Sequence, residues 1–199
     1  MKTVKVAVTG GPSGGKTTLI EAIKKEIGNK VAVVPESASI LYRGGFPRIK
    51  GHNGVIHAQK AIYFTLKELE DLILLEQQPP LLVCDRGSVD GLAYWPEDPK
   101  SFFEMTKSSL EKEYARYDWV LHLDTAGIEH YDTMSSIRTE SFQEAHALNQ
   151  KILNVWEKHP RRIRINQKKD FLSKMAAAYG VIQAILNGDD YETIRRTFE

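Results

Sequence analysis

Near the start of the chain, Gly10-Gly11-Pro12-Ser13-Gly14-Gly15-Lys16-Thr17-Thr18 meets the spacing G-x-x-x-x-G-K-[ST] at every fixed position. Each residue type there has a task in holding phosphate. Glycines let the backbone wrap closely enough to aim several N–H groups at phosphate oxygens. The Lys16 ammonium reaches the outer phosphates, and the Thr17 hydroxyl can ligate Mg²⁺. Gly11 to Thr18 are therefore the candidate cradle for a nucleoside triphosphate, ATP or GTP, with Mg²⁺ as its companion. A helix starting after Gly15 adds free N–H groups and a positive dipole end.

Three further groups stand where such chemistry needs them. The apolar run Leu81-Leu82-Val83-Cys84 delivers Asp85-Arg86-Gly87. An Asp at a strand end beside a phosphate loop holds Mg²⁺, often through water, and an adjacent arginine can fork onto phosphate oxygens. A structural Asp–Arg ion pair is the alternative. The run Val31–Val34 leads into Pro35-Glu36-Ser37, which places Glu36 off the carboxyl end of a strand, where ligands of open α/β sheets bind. A carboxylate there can accept a proton from an attacking hydroxyl; the bland alternative is a solvated loop glutamate. Residues 124–140 are polar and carry Arg138 just before a helix that opens with the capping pair Ser141 and Glu144. Such a segment suits a closing lid that brings an arginine to the transferring phosphate, with a solvated helix start as the alternative.

The elements that must position these groups follow from hydrophobic period. Buried strands are expected at residues 4–9, 31–34, 81–84, 117–123 and 161–165. Helices are expected after Gly15 to about Gly28, from Val55 to about Gln77, over about 100–116, from Ser141, and from an Asp170 N-cap. His122 falls inside a strand and reads as a core histidine. Tyr94 and Trp95 read as local core ahead of a stacking platform. Residues 42–54, with four glycines and the cations Arg43, Arg48 and Lys50, read evenly as a loop over an anionic ligand or surface, or as a solvated connection. Asn166 and Gln167 follow the last strand. That stretch resembles a guanine-reading N-K-x-D loop displaced by one residue, so guanine specificity does not follow. The residues after Gly188 read as a short, frayed, charged tail.

Composition sets the frame. At 199 residues, with 42% hydrophobic and 27% charged content, one domain spanning 1–199 is expected. Lys+Arg 27 against Asp+Glu 26 leaves a net charge of +1, which argues against a nucleic-acid partner. The single cysteine, Cys84, cannot form an internal disulfide, and with no leader or membrane-spanning run expected, a cytoplasmic setting fits best.

Alternation of strands and helices alone implies an α/β protein with a parallel sheet. Beyond that pattern, the phosphate loop, Val34-Pro35-Glu36-Ser37-Ala38, Asp85-Arg86-Gly87-Ser88-Val89-Asp90-Gly91-Leu92-Ala93-Tyr94-Trp95 and Ile137-Arg138-Thr139-Glu140-Ser141 resemble one P-loop NTPase family. It contains nicotinamide-riboside-kinase-type (NadR-like) AAA-type domains, together with GTP- and phosphoinositide-binding relatives. The wider likeness is to nucleoside and nucleotide kinases. It implies a three-layer fold with a five-stranded sheet in the order 2-3-1-4-5 and helices on both faces. It also implies Lys16 and Thr17 on phosphate and Mg²⁺, Asp85 near the metal, and Glu36 as substrate contact or base. Arg86 and Arg138 would touch phosphates, and Asn166 and Gln167 would flank the nucleotide base. Two functions result: an ATP-dependent kinase acting on a hydroxyl of a small molecule such as a nucleoside or riboside, or a nucleotide-binding regulator that senses an anionic lipid or metabolite.

Overall fold

The computed structural model describes residues 2–126, 141–166 and 170–199. Five strands, β1 (Val4–Thr9), β2 (Val31–Val34), β3 (Leu81–Asp85), β4 (Trp119–Leu123) and β5 (Arg162–Ile165), form one parallel sheet in the order β2-β3-β1-β4-β5. That is the expected three-layer P-loop order. Strands that are apolar at successive positions need cover on both faces, and the two-residue period divides them between two cores. Val6, Val8, Leu81, Val83, Leu121 and Leu123 pack with Leu19 and Ile23 of α1 (Lys16–Ile27) and with Ile182 of α7 (Phe171–Asn187). Ala7, Leu82, Cys84 and Val120 face the other way, onto Leu66 of α3 (His52–Gln77), Ile152 of α6 (Phe142–Val155) and Trp156. In register, Val8 is level with Asp85 on one side and Leu121 on the other, so the carboxyl ends of the three central strands form one edge.

Helix boundaries follow local chemistry. Ser141 and Glu144 close the expected capping box on α6, and Asp170 caps α7 by accepting from the Ser173 N–H at 2.8 Å. Three expectations change. The helix expected over 100–116 is two, α4 (Pro99–Thr106) and α5 (Leu110–Tyr114), because Lys107 takes φ +53 and Ser109 starts a new N-cap. The connection 42–54 shortens, because α2 (Ser37–Arg43) takes in Tyr42 and Arg43 and α3 begins at His52. The tail is no frayed end. Residues Tyr191–Phe198 form α8, capped by Asp190, with Ile194 buried and Phe198 packed over Gly180. Among the described residues no helix is long and apolar enough to cross a membrane.

Candidate functional site

The phosphate loop connects β1 to α1 at the sheet edge, and its glycines are enforced by contact. A Cβ on Gly10 (φ +129) would lie 2.0 Å from the Leu123 carbonyl oxygen, and one on Gly15 (φ +93) would lie 2.6 Å from Met175 Cε. Gly14 backs onto the same Leu123 carbonyl. Pro12 is half-buried, and Ser13 adopts φ +60 with its buried hydroxyl lacking a hydrogen-bond partner. The Gly11 N–H is already engaged, donating to Asn149 Oδ1 at 2.9 Å. Thr17 and Thr18 open α1 with exposed side chains. Lys16 folds back, donating from Nζ to Gly10 O at 3.0 Å and to Gly11 O at 2.8 Å. Burial and the Arg86 charge lower its pKa to about 7, against the pull of Asp85 and Glu36.

Across from this loop, β2 and β3 deliver a cluster of acids around one arginine. Arg86 donates from Nε to Glu36 Oε1 at 2.7 Å, and from NH1 to Gly10 O and Asp90 Oδ2, both at 3.3 Å. This guanidinium, expected on phosphate, is held by two carboxylates and a loop carbonyl. Its backbone sits at φ +77, unusual for a side chain of this size, while its N–H donates to Val8 O at 3.0 Å. Glu36, the N-cap residue of α2, also accepts from Ser39 Oγ. Burial alone would raise the Glu36 carboxyl, but Arg86 and Ser39 hold it at about 2. Asp85 goes the other way: burial and the Glu36 charge push it up to about 6. Two neighbouring carboxylates thus have proton affinities driven apart.

Asp90, Asp124 and Asn149 escaped the sequence reading. Asp90 lies in the 3₁₀ turn Ser88–Ala93, buried beneath Arg86. Asp124 accepts from Arg164 Nε and Asn149 Nδ2, each at 3.0 Å, and its backbone carbonyl takes the Lys174 ammonium. Burial would raise its carboxyl, yet hydrogen bonds from His122, Asn149 and Arg164 hold it well below the usual range. His122 is the buried histidine expected, with Nε2 at 3.1 Å from Asn149 Oδ1. Trp95 is local core: its Nε1 donates to Ser101 Oγ at 2.8 Å and its ring packs edge-on against Phe102. The only sequence hint to the second network is position, since Asp124 directly follows β4.

Arg138 and Gln167 lie outside the described residues. Asn166 is exposed immediately after β5. In the loop, the Arg48 guanidinium sits 4.3 Å from the Tyr42 ring centroid and Lys50 lies within electrostatic reach of Glu144.

The oxygen set suits Mg²⁺. Among the described residues no group of three or more His, Cys, Asp or Glu could form a dedicated metal cage. Mg²⁺ rarely needs one, since it keeps waters and phosphate oxygens and takes one or two protein ligands. Asp85 accepts no side-chain hydrogen bond among the described residues and has a raised pKa, which a cation would relieve. The Thr17 hydroxyl, exposed at the start of α1, would offer a second oxygen.

A family model described as AAA domain matches residues 5–174. No curated protein matches the chain. Among solved structures, thymidylate kinase from Candida albicans aligns with a TM-score of 0.65 at 14% identity, covering 94% of this chain and 94% of that one. Deoxyadenosine kinase from M. mycoides with bound dATP aligns at 0.56 and 14% identity, over 92% of this chain and 99% of the other. NadR in complex with NAD and AMP-PNP aligns at 0.59 and 15% identity, over 95% of this chain but 51% of that longer protein. At these identities the likeness is one of fold.

Proposed function

The chain belongs to the AAA domain family and has the fold of P-loop nucleoside and nucleotide kinases, and from that premise we propose that it is a Mg²⁺-dependent phosphotransferase. It moves the γ-phosphoryl of ATP to a hydroxyl of a small molecule such as a nucleoside or riboside. The observation that carries this reading is Glu36. A carboxylate fixed by Arg86 at the end of β2, within electrostatic reach of Lys16, has no use in simple nucleotide binding. It is where an acceptor hydroxyl would need an oxygen acceptor.

The loop amides and Lys16 bind the β- and γ-phosphates, and the triphosphate restores the ammonium that burial disfavours. Asp85 and Thr17 would hold Mg²⁺, which would supply positive charge against that of the phosphates. A carboxyl with a pKa of about 2 is a weak base. Phosphoryl transfer through a loose transition state asks little of a base, however, and much of positioning. Glu36 therefore orients the acceptor hydroxyl in line with the γ-phosphorus and takes its proton late. Arg86 holds Glu36 in place and adds positive charge near the transferring group.

The test is a screen of nucleosides, ribosides and sugars for Mg-ATP-dependent phosphorylation, followed by mass shift. We expect at least one neutral hydroxyl acceptor, with Glu36→Gln abolishing transfer while nucleotide still binds. Nucleotide hydrolysis unaffected by every acceptor and by Glu36→Gln would sink the kinase reading in favour of a regulatory NTPase.

A further inference from the structure

Arg86 is asked to do two incompatible things by its own backbone and side chain. Its φ of +77 is a conformation a long side chain adopts only where surroundings over-determine it. Its guanidinium must also stand still if Glu36 is to present one fixed oxygen to an acceptor. Neither Glu36, whose side chain is 27% exposed, nor the Gly10 carbonyl, shared with the Lys16 ammonium, is a sufficient anchor.

Asp90 is. It lies four residues beyond Arg86, with 3% of its surface exposed. Three elements converge on it. The Thr9 hydroxyl at the end of β1 lies 2.7 and 2.6 Å from its two oxygens, and Trp156 Nε1, just past α6, donates to Oδ1 at 2.6 Å. Oδ2 also takes Arg86 NH1, at 3.3 Å. The turn itself is pinned on both sides. The Ser88 N–H donates to Tyr117 Oη at 2.8 Å, and Gly87 is pressed so closely on Trp156 that a Cβ would lie 2.4 Å from its Cζ2. A carboxylate held by neutral donors from two distant elements has no freedom to follow the arginine; the arginine must follow it.

We propose that Asp90 is a positioning residue for transfer: it fixes Arg86 from beneath and thereby sets the orientation of the Glu36 carboxylate that meets the acceptor. Asp90 touches neither nucleotide nor acceptor. The inference rests on the phosphotransfer reading for its kinetic consequence, and on geometry alone for its effect on Arg86.

Asp90→Asn keeps the volume and an oxygen for Trp156 but removes the charge that Arg86 leans on. With the best acceptor from the screen, kcat is expected to fall on the order of 10²-fold, as for a misplacement of about 1 Å, while the acceptor KM moves little. In an Arg86→Met background the same change should add nothing further, because the effect passes through Arg86. A merely structural Asp90 would instead give additive losses in the two backgrounds. Thr9→Val, which releases one anchor and leaves the charges intact, should act in the same direction and by less, and serves if Asp90→Asn fails to fold. A kcat within about twofold of wild type for both variants, or additivity with Arg86→Met, overturns the proposal.

A second readout does not need an acceptor. The Arg86 Nε–H resonance in ¹⁵N spectra, assigned by its loss in Arg86→Met, should exchange slowly in wild type and lose that protection in Asp90→Asn. Unchanged protection overturns the positioning role whatever the chain phosphorylates. A screen without any product, with hydrolysis indifferent to every acceptor and to Glu36→Gln, overturns the kinase reading and with it the role in transfer, while lost protection in Asp90→Asn still shows Asp90's hold on Arg86.

Discussion

Two clusters of opposite charges lie on β3 and its neighbours, and they are built in opposite ways. In the inner one a buried carboxylate, Glu70 of α3, gathers cations: Lys5 Nζ at 2.9 Å and Arg116 NH2 at 2.6 Å on Oε2, with Tyr117 Oη at 2.6 Å on Oε1, while Glu113 Oε2 lies 3.7 Å from Arg116 Nε. Glu70 has no exposed surface at all. In the outer one a single cation, Arg86, gathers carboxylates, and the Glu36 side chain remains 27% exposed. In the inner cluster every cation has a carboxylate partner within the protein. Burial and the Glu70 charge raise the Tyr117 phenol well above its usual pKa, so it stays a donor to that carboxylate. The outer cluster is unfinished. Burial drives the Lys16 ammonium and the Asp85 carboxyl towards their neutral forms, to about 7 and about 6. A buried group that is unhappy in its own protein is one that a ligand can satisfy.

The largest effect should come from the inner cluster and fall on stability. Glu70→Ala strands Lys5 and leaves Arg116 only Glu113, 3.7 Å away, and removing one partner of a buried pair costs about 3–5 kcal/mol. Urea unfolding monitored by circular dichroism should show that loss. Any protein still folded should transfer phosphate at nearly the wild-type rate per molecule. A loss of transfer larger than the loss of folded protein would mean that the inner cluster belongs to the site.

Glu36→Gln should do the reverse. Arg86 keeps Asp90 and Gly10 O as partners, so the cost in stability is about 1 kcal/mol or less, the range of partly exposed pairs. Transfer should fall on the order of 10²-fold or more, as when a proton acceptor is removed. Filling the cluster should show in stability as well. Mg-ATP at about a hundred times its dissociation constant should stabilise the fold by about 2.7 kcal/mol, read as a raised unfolding midpoint. Lys16→Ala should lose most of that rise; an equal rise in the variant would remove Lys16 from the phosphate site.

The two clusters were not equally legible in the sequence. The phosphate loop, Asp85 and Glu36 are local signals, each a residue type at the end of an apolar run. The sheet order, implied by resemblance, also held. Asp90 gave no such signal. Its burial depends on Thr9 and Trp156, which are 81 and 66 residues away, and no period connects those positions. Glu70 read as one more charge on a long helix, because only tertiary packing brings Lys5 and Arg116 to it. The α8 segment is a different failure. Asp190 and Thr193 form a cap, and Ile194 and Phe198 stand one turn apart; the dense charges between them hid an amphipathic helix.

The difference between the clusters also sets how each answers to pH. Asp85 has a raised pKa, so between its ordinary 3.8 and about 6 the folded chain binds more protons than the unfolded chain. Stability from this group therefore grows as pH falls through that window and is least at neutral pH. Glu36 runs the other way. Its carboxyl is held at about 2 instead of 4.5, so its stabilisation is present above 4.5 and lost as pH falls towards 2. Asp85→Asn removes a charge that the ligand-free fold disfavours, and should raise the unfolding midpoint at pH 7, with the gain shrinking as pH falls towards 4. The gain should also reverse when Mg-ATP is added, since the variant would lack the carboxylate proposed to hold the metal. A midpoint that drops at pH 7 without nucleotide would show that Asp85 is already satisfied by Lys16 and Arg86. The outer cluster would then be as self-sufficient as the inner one, and its case as an unfilled site would fail.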